Sequence, residues 1–131
     1  MASAGSITIV IHDKEVLAAL DRLSAVARGP VMDRALEAGG RVVANKAKEK
    51  APFKTGNLRR SIGVQVSGGV VRVGPSAPYG RRIELGFSGA DRLGRVYHQP
   101  PRPYLRPALE SSRSEVIREV TNALRAQLAK L

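Results

Sequence analysis

The sequence has no cysteine and no tryptophan, and aromatic residues make up only 4% of its 131 positions. Without cysteine, disulfides and thiolate metal sites are excluded. The core must therefore be aliphatic, and the length allows one domain over 1–131. Only two histidines occur, His12 and His98, so a two-histidine zinc motif cannot form. His98 with Asp91 offers at most two metal ligands. No apolar run approaches the ~18–20 residues that cross a bilayer. The N-terminus lacks a charged segment followed by an apolar one, so no signal peptide is expected and the chain reads as soluble and intracellular when made. Gly86-Phe-Ser-Gly89 lacks the strand–loop–helix setting and the lysine of a phosphate loop. Ser, His and Asp residues are present, yet no local signature pairs a nucleophile with a base. Glu84 stands among arginines, where an ion pair is favoured over a catalytic carboxylate. The expectation is a protein that is not an enzyme, with no metal, no cofactor, no small-molecule substrate and no membrane partner.

What the chain does have is positive charge in one place. The net charge is +11; Arg41–Arg106 holds 14 Lys/Arg against 3 Asp/Glu, and the remainder balances eight against eight. From Arg59 onward this excess is arginine alone: Arg59, Arg60, Arg72, Arg81, Arg82, Arg92, Arg95, Arg102 and Arg106. Arginine forks pair with carboxylates and phosphates in fixed geometry, so the enrichment suits an ordered interface. A protein surface, DNA and a merely solvated face all remain open. No helix-turn-helix or zinc-finger pattern supports reading of a base sequence.

Met1–Gly5 is expected to be a flexible N-terminus. Ser6–His12 alternates Ile7, Ile9 and Ile11 with Thr8, Val10 and His12 in a β-branched run, which predicts a strand. Asp13 is placed to cap a helix carrying Val16, Leu17, Leu20, Leu23 and Ala27 on one stripe, ended by Gly29-Pro30. A second helix runs to about Lys50, with Ala35, Gly39, Val42, Val43 and Ala47 on a narrow face. Its Gly39-Gly40 pair is either a weak spot or a point of close approach. Thr55 is placed to cap a short turn that carries Leu58 inward. Ile62, Val64 and Val66 alternate with smaller or polar residues, Gly68-Gly69 makes a two-residue turn, and Val70–Val73 returns. Tyr79–Leu85 is a short helix or turn. Gly86–Pro103, with three Gly and three Pro, predicts a long loop with at most a short strand near Val96-Tyr97. Pro107 opens a long C-terminal helix, in which Ile117, Val120 and Leu124 are expected to pack on the hairpin. The fold class is therefore α+β: a small, mostly antiparallel sheet with two N-terminal helices and a long C-terminal helix.

Three stretches then stand in order: Ala51-Pro-Phe-Lys-Thr-Gly-Asn-Leu-Arg-Arg-Ser-Ile62; Val73-Gly-Pro-Ser-Ala-Pro-Tyr79 through Ile83-Glu-Leu-Gly86; and Gln99-Pro-Pro-Arg-Pro-Tyr-Leu-Arg-Pro-Ala-Leu109. With this spacing the chain resembles the HK97-type tail-component family of siphophages, also described as neck or tail-completion proteins. The likeness runs from the second helix to the C-terminal helix. The sequence departs at Gly80, where an alanine is common, and at Phe87, where a small polar residue is usual. The resemblance implies a structural subunit of the head–tail connector, in the virion once built and in the host cytoplasm during assembly. It implies partners that are other copies, in a ring of six or twelve around the DNA channel, and neighbouring neck and tail proteins, with packaged DNA a further candidate. The residues expected at a subunit or DNA interface are Arg59, Arg60, Arg81, Arg82, Arg92, Arg95, Arg102, Arg106 and Tyr104. The arm through Pro100, Pro101 and Pro103 is stiff before it docks and so loses little entropy in docking. The rival readings are a non-specific nucleic-acid-binding protein and, behind it, a small phage enzyme.

Overall fold

A computed structural model of the chain describes residues 13–52, 56–77, 79–90 and 92–131. The strand expected at Ser6–His12 and the cap expected from Thr55 lie outside the described residues. In order come α1 (Lys14–Asp21), α2 (Ala25–Lys50), α3 (Asn57–Ser61), β1 (Ile62–Ser67), β2 (Val70–Pro75), α4 (Gly80–Leu85), β3 (Phe87–Ala90), β4 (Val96–Gln99), α5 (Leu105–Ser111) and α6 (Arg113–Ala129). The class is α+β, with two antiparallel two-stranded sheets among the described residues.

Asp13 caps α1 as its sequence position predicts: its Oδ1 accepts the amides of Glu15 and Val16, each at 3.1 Å. The first helix is shorter than expected, however. It ends at Asp21, and α2 runs through Gly29 and Pro30 to Lys50. Two side chains move the break upstream. Ser24 Oγ accepts the amide of Ala27 at 3.2 Å. The Arg28 guanidinium donates to the carbonyls of Leu20 and Leu23 at 3.1 and 3.0 Å, satisfying the exposed end of α1. Pro30 then falls in the second turn of α2, where its missing N–H removes a single bond.

The axis of the molecule is α2, about 39 Å long at 1.5 Å per residue. One side packs on α6 and another on the β1–β2 hairpin. Gly39 and Gly40 make both contacts possible, so the glycine pair is a point of close approach. A Cβ on Gly39 would lie 2.6 Å from Val120 Cγ2. One on Gly40 would lie 2.7 Å from Val71 Cγ2 and 2.8 Å from Val64 Cγ1. The hairpin turns through Gly68 and Gly69 at φ 57° and 79°, the positive values its tight turn requires. Val64 faces Val73 and Val66 faces Val71 across the ladder. Asp33 Oδ1 accepts the Gly69 amide at 3.1 Å, which ties the turn to α2.

The C-terminal helix begins at Leu105, before Pro107, and is interrupted: α5 gives way to α6 at Ser112, whose buried hydroxyl donates to the Ala108 carbonyl at 2.6 Å. Val116, Val120 and Leu124 form the buried stripe of α6. The expected packing of α6 on the hairpin is replaced by packing on α2, which contacts both, and α6 makes no extensive contact with β1 or β2. Ile117, expected in that contact, sits one residue off the stripe and is 41% exposed. Gly86–Pro103 is not one long loop: β3 and β4 pair antiparallel, Phe87 opposite Gln99 and Ala90 opposite Val96. Among the described residues no helix is long and apolar enough to cross a membrane.

Arg125 of α6 donates to Asp13 Oδ2 from Nε at 3.0 Å and also from Nη2, closing α1 onto α6. That hydrogen bond, then the Val16 amide, holds the Asp13 carboxyl below its ordinary 3.8. A depressed folded value means a contribution present above pH 3.8 and lost as pH falls below it. Asp13→Asn should therefore melt below the wild type at neutral pH. The gap between the two melting temperatures should close in acid, and a constant gap down to pH 2 (about two units below the free carboxylate,) would remove this role.

Candidate interface: a cationic end and a projecting ribbon

Gly56, at φ 82°, turns the chain into α3, which buries Leu58 and carries Arg59 and Arg60. Arg59 is half-buried; Arg60 is exposed and donates to Asn57 Oδ1 at 2.5 Å. Ser76 donates its amide to the Ser61 carbonyl at 2.9 Å, which brings the segment entering α4 beside the end of α3. The Arg102 amide donates to the Ile83 carbonyl at 2.7 Å, laying the proline-rich arm along α4. Gly80 is required where these parts meet, since a Cβ there would lie 2.4 Å from Pro75 Cγ. Phe87, the other departure from the family pattern, lies under the Arg82 guanidinium, 4.1 Å from its ring centre.

Tyr104 is among the residues expected at a subunit or DNA interface. Instead it is fully buried, and its hydroxyl donates to the Gly80 carbonyl at 3.0 Å. It anchors the arm to its own domain. Burial, then the charges of Glu84 and Tyr79, push its phenol above the ordinary 10, so it remains a neutral donor.

Glu84 corrects the expectation of an ion pair among arginines. It is buried and points at the start of α5. Its Oε1 accepts the amides of Leu105 at 2.5 Å, Tyr104 at 3.2 Å and Arg106 at 3.4 Å. The amide donors at the helix N-terminus meet its charge from inside. No sequence signal marked this role beyond the Glu-x-Gly pattern itself.

The arginines fall into two sets. Arg59, Arg60, Arg81, Arg82, Arg102 and Arg106 gather around α3, α4 and the arm; Arg106 pairs with Glu110 at 3.2 Å. Arg92 and Arg95 lie at the tip of the β3–β4 ribbon, about 13 Å from its base at 3.4 Å per residue. The ribbon makes no extensive contact with any other described element. It exposes Leu93 and Val96 at 77% and 67%. Gly86, at φ 78°, lets the chain cross at its base, where a Cβ would meet the Gln99 oxygen at 2.9 Å. An open groove of about 440 Å³ there is lined by Leu85, Phe87, His98, Pro100 and Pro101, among others. His98 and the described acids form no group of three metal-ligating side chains.

The fold is a small α+β domain with a cationic end and a projecting two-stranded ribbon. The chain belongs to the family described as "Bacteriophage HK97-gp10, putative tail-component", whose model matches residues 14–86, more than half of its length. The protein is thus a structural component of a phage tail and belongs in the virion. The matched span ends at Gly86, so the arm and its motif lie beyond it. No curated protein and no solved structure matches the chain.

Proposed function

We propose that this chain is a subunit of the head–tail connector, joining or completing the tail by assembling into a ring around the DNA channel. Its partners are further copies of itself, six or twelve to a ring, and the neighbouring neck and tail proteins. It is built in the host cytoplasm and retained in the virion, and its work is binding rather than catalysis. The observation that carries the reading is the β3–β4 ribbon. Two strands standing alone are marginally stable in water. Among the described residues this pair leaves both edges open, and it exposes Leu93 and Val96. A ring needs head-to-tail contacts in which one subunit's projection meets a different surface of the next, and the ribbon supplies such a projection.

Hydrogen exchange on the free protein and on intact particles tests this. Amides of Phe87–Ala90 and Val96–Gln99 should exchange quickly in the free subunit and slowly in the particle. Equal, fast exchange in both states would remove the ribbon from assembly, and absence of the chain from purified particles would end the connector reading.

A further inference from the structure

The two ends of α2 differ in charge. Gly39 lies beside Val116 and Val120, and Arg34 donates to Gln127 Oε1 at 3.1 Å, so α6 runs antiparallel to α2. The start of α5 and the arm before it therefore lie toward the C-terminal half of α2. The same end holds Lys48 and Lys50 in the last turn of α2, and then α3 and α4. The described carboxylates of that end are withdrawn from solvent or paired. Glu84 is turned inside onto the α5 amides. Glu49 lies 3.9 Å from Lys46, and Glu110 pairs with Arg106. Arg81, Arg82 and Arg102 are exposed and, among the described residues, meet no carboxylate. Among the described residues, what remains is a face with cations from four segments of chain and scarcely any free acid.

We infer that this end contacts the phosphate backbone of duplex DNA without reading its sequence. The inference goes beyond the connector reading and does not need it, since it stands on the charge layout alone. A second copy is a poor occupant of this face, because a two-fold contact would set the cationic end against itself, and the rest of the chain, with eight cations against eight acids, offers no excess of acid to meet it. A protein interface has a core depleted of charge and rich in apolar groups. Of the large exposed apolar residues among those described, only Tyr79 and Leu85 lie at this end; Leu93 and Val96 belong to the ribbon, and Leu17, Val26, Val70, Ile117 and Leu131 lie elsewhere. Single strands are held by stacking on aromatic rings. Tyr104 is fully buried and Phe87 is covered by the Arg82 guanidinium, which leaves Tyr79 with little to stack beside among the described residues. Guanidinium groups spread over several elements, with no stacking platform among the described residues, suit the regular phosphates of a duplex.

The test is fluorescence anisotropy of the full chain with a labelled random duplex of about 20 bp across a salt series. Binding should weaken steeply with salt. Arg81→Gln with Arg82→Gln and Arg102→Gln should lower the log–log salt slope by about 3, near 0.9 for each phosphate no longer neutralised. The triple replacement of the same residues by Lys should keep the slope and shows that the surface tolerates substitution. Arg113→Gln with Arg118→Gln and Lys130→Gln removes equal charge from exposed positions of α6 and the residue that follows it and should leave the slope near that of the wild type. Equal loss in both Gln triples would overturn the inference, as would binding that salt does not weaken. Competition by a polyglutamate peptide as effective as by duplex of equal charge would also overturn it, assigning the face to an acidic protein. Any of these failures leaves the exchange test of the ribbon untouched.

Discussion

Glu84→Ala is expected to destabilise the domain by about 3 kcal/mol or more. The carboxylate accepts three consecutive backbone amides at the start of α5, and the site is buried. Each buried donor left without a partner costs about 1–3 kcal/mol. Alanine cannot reach these amides, of which that of Tyr104 is buried and those of Leu105 and Arg106 partly so. Glu84→Gln should recover only part of the loss, because its amide group turns donors toward donors. The damage should spread to the arm, since the Arg102 amide and the Tyr104 hydroxyl both dock on α4. Urea melts of the three proteins decide it. A loss within about 0.5 kcal/mol for Glu84→Ala, the range of an ordinary surface substitution, would mean that the carboxylate does not hold the helix.

Leu124→Ala should cost about 2–5 kcal/mol, the range for a large aliphatic side chain truncated in a packed core. Leu124 is fully buried on α6, on the stripe facing α2. Ile117→Ala should cost under about 1 kcal/mol, since its side chain is already 41% exposed. The contrast tests the packing itself. Equal costs at the two positions in urea melts would mean that α6 is rotated from the orientation described, with Ile117 rather than Val116 turned inward.

Much of this was legible along the chain, for local reasons. The β1–β2 hairpin follows from a period of two in Ile62, Val64 and Val66 and from a Gly-Gly turn, signals read within a dozen residues. Asp13 announces α1 by position, since its carboxylate needs only the next two or three amides. The excess of cations between Arg41 and Arg106 is a property of composition alone.

Other features depended on groups far apart in the chain. The α1–α2 break lies at Ser24 and not at Gly29-Pro30 because Arg28 reaches back eight residues to close the earlier helix. Spacing on α6 allows a stripe through Val116 or through Ile117, and only the place of Gly39 against Val116 and Val120 chooses between them. The β3 strand reads Phe-Ser-Gly-Ala, which has little strand propensity; its order comes from main-chain pairing with β4, which side-chain pattern does not record. The sequence by itself determined where the charge lies and which segments are amphipathic, because both depend on residue type and local spacing. Only the tertiary structure decided that Glu84, an acid among the arginines, turns inward and leaves their face cationic, because the amides that hold it lie some twenty residues further along the chain.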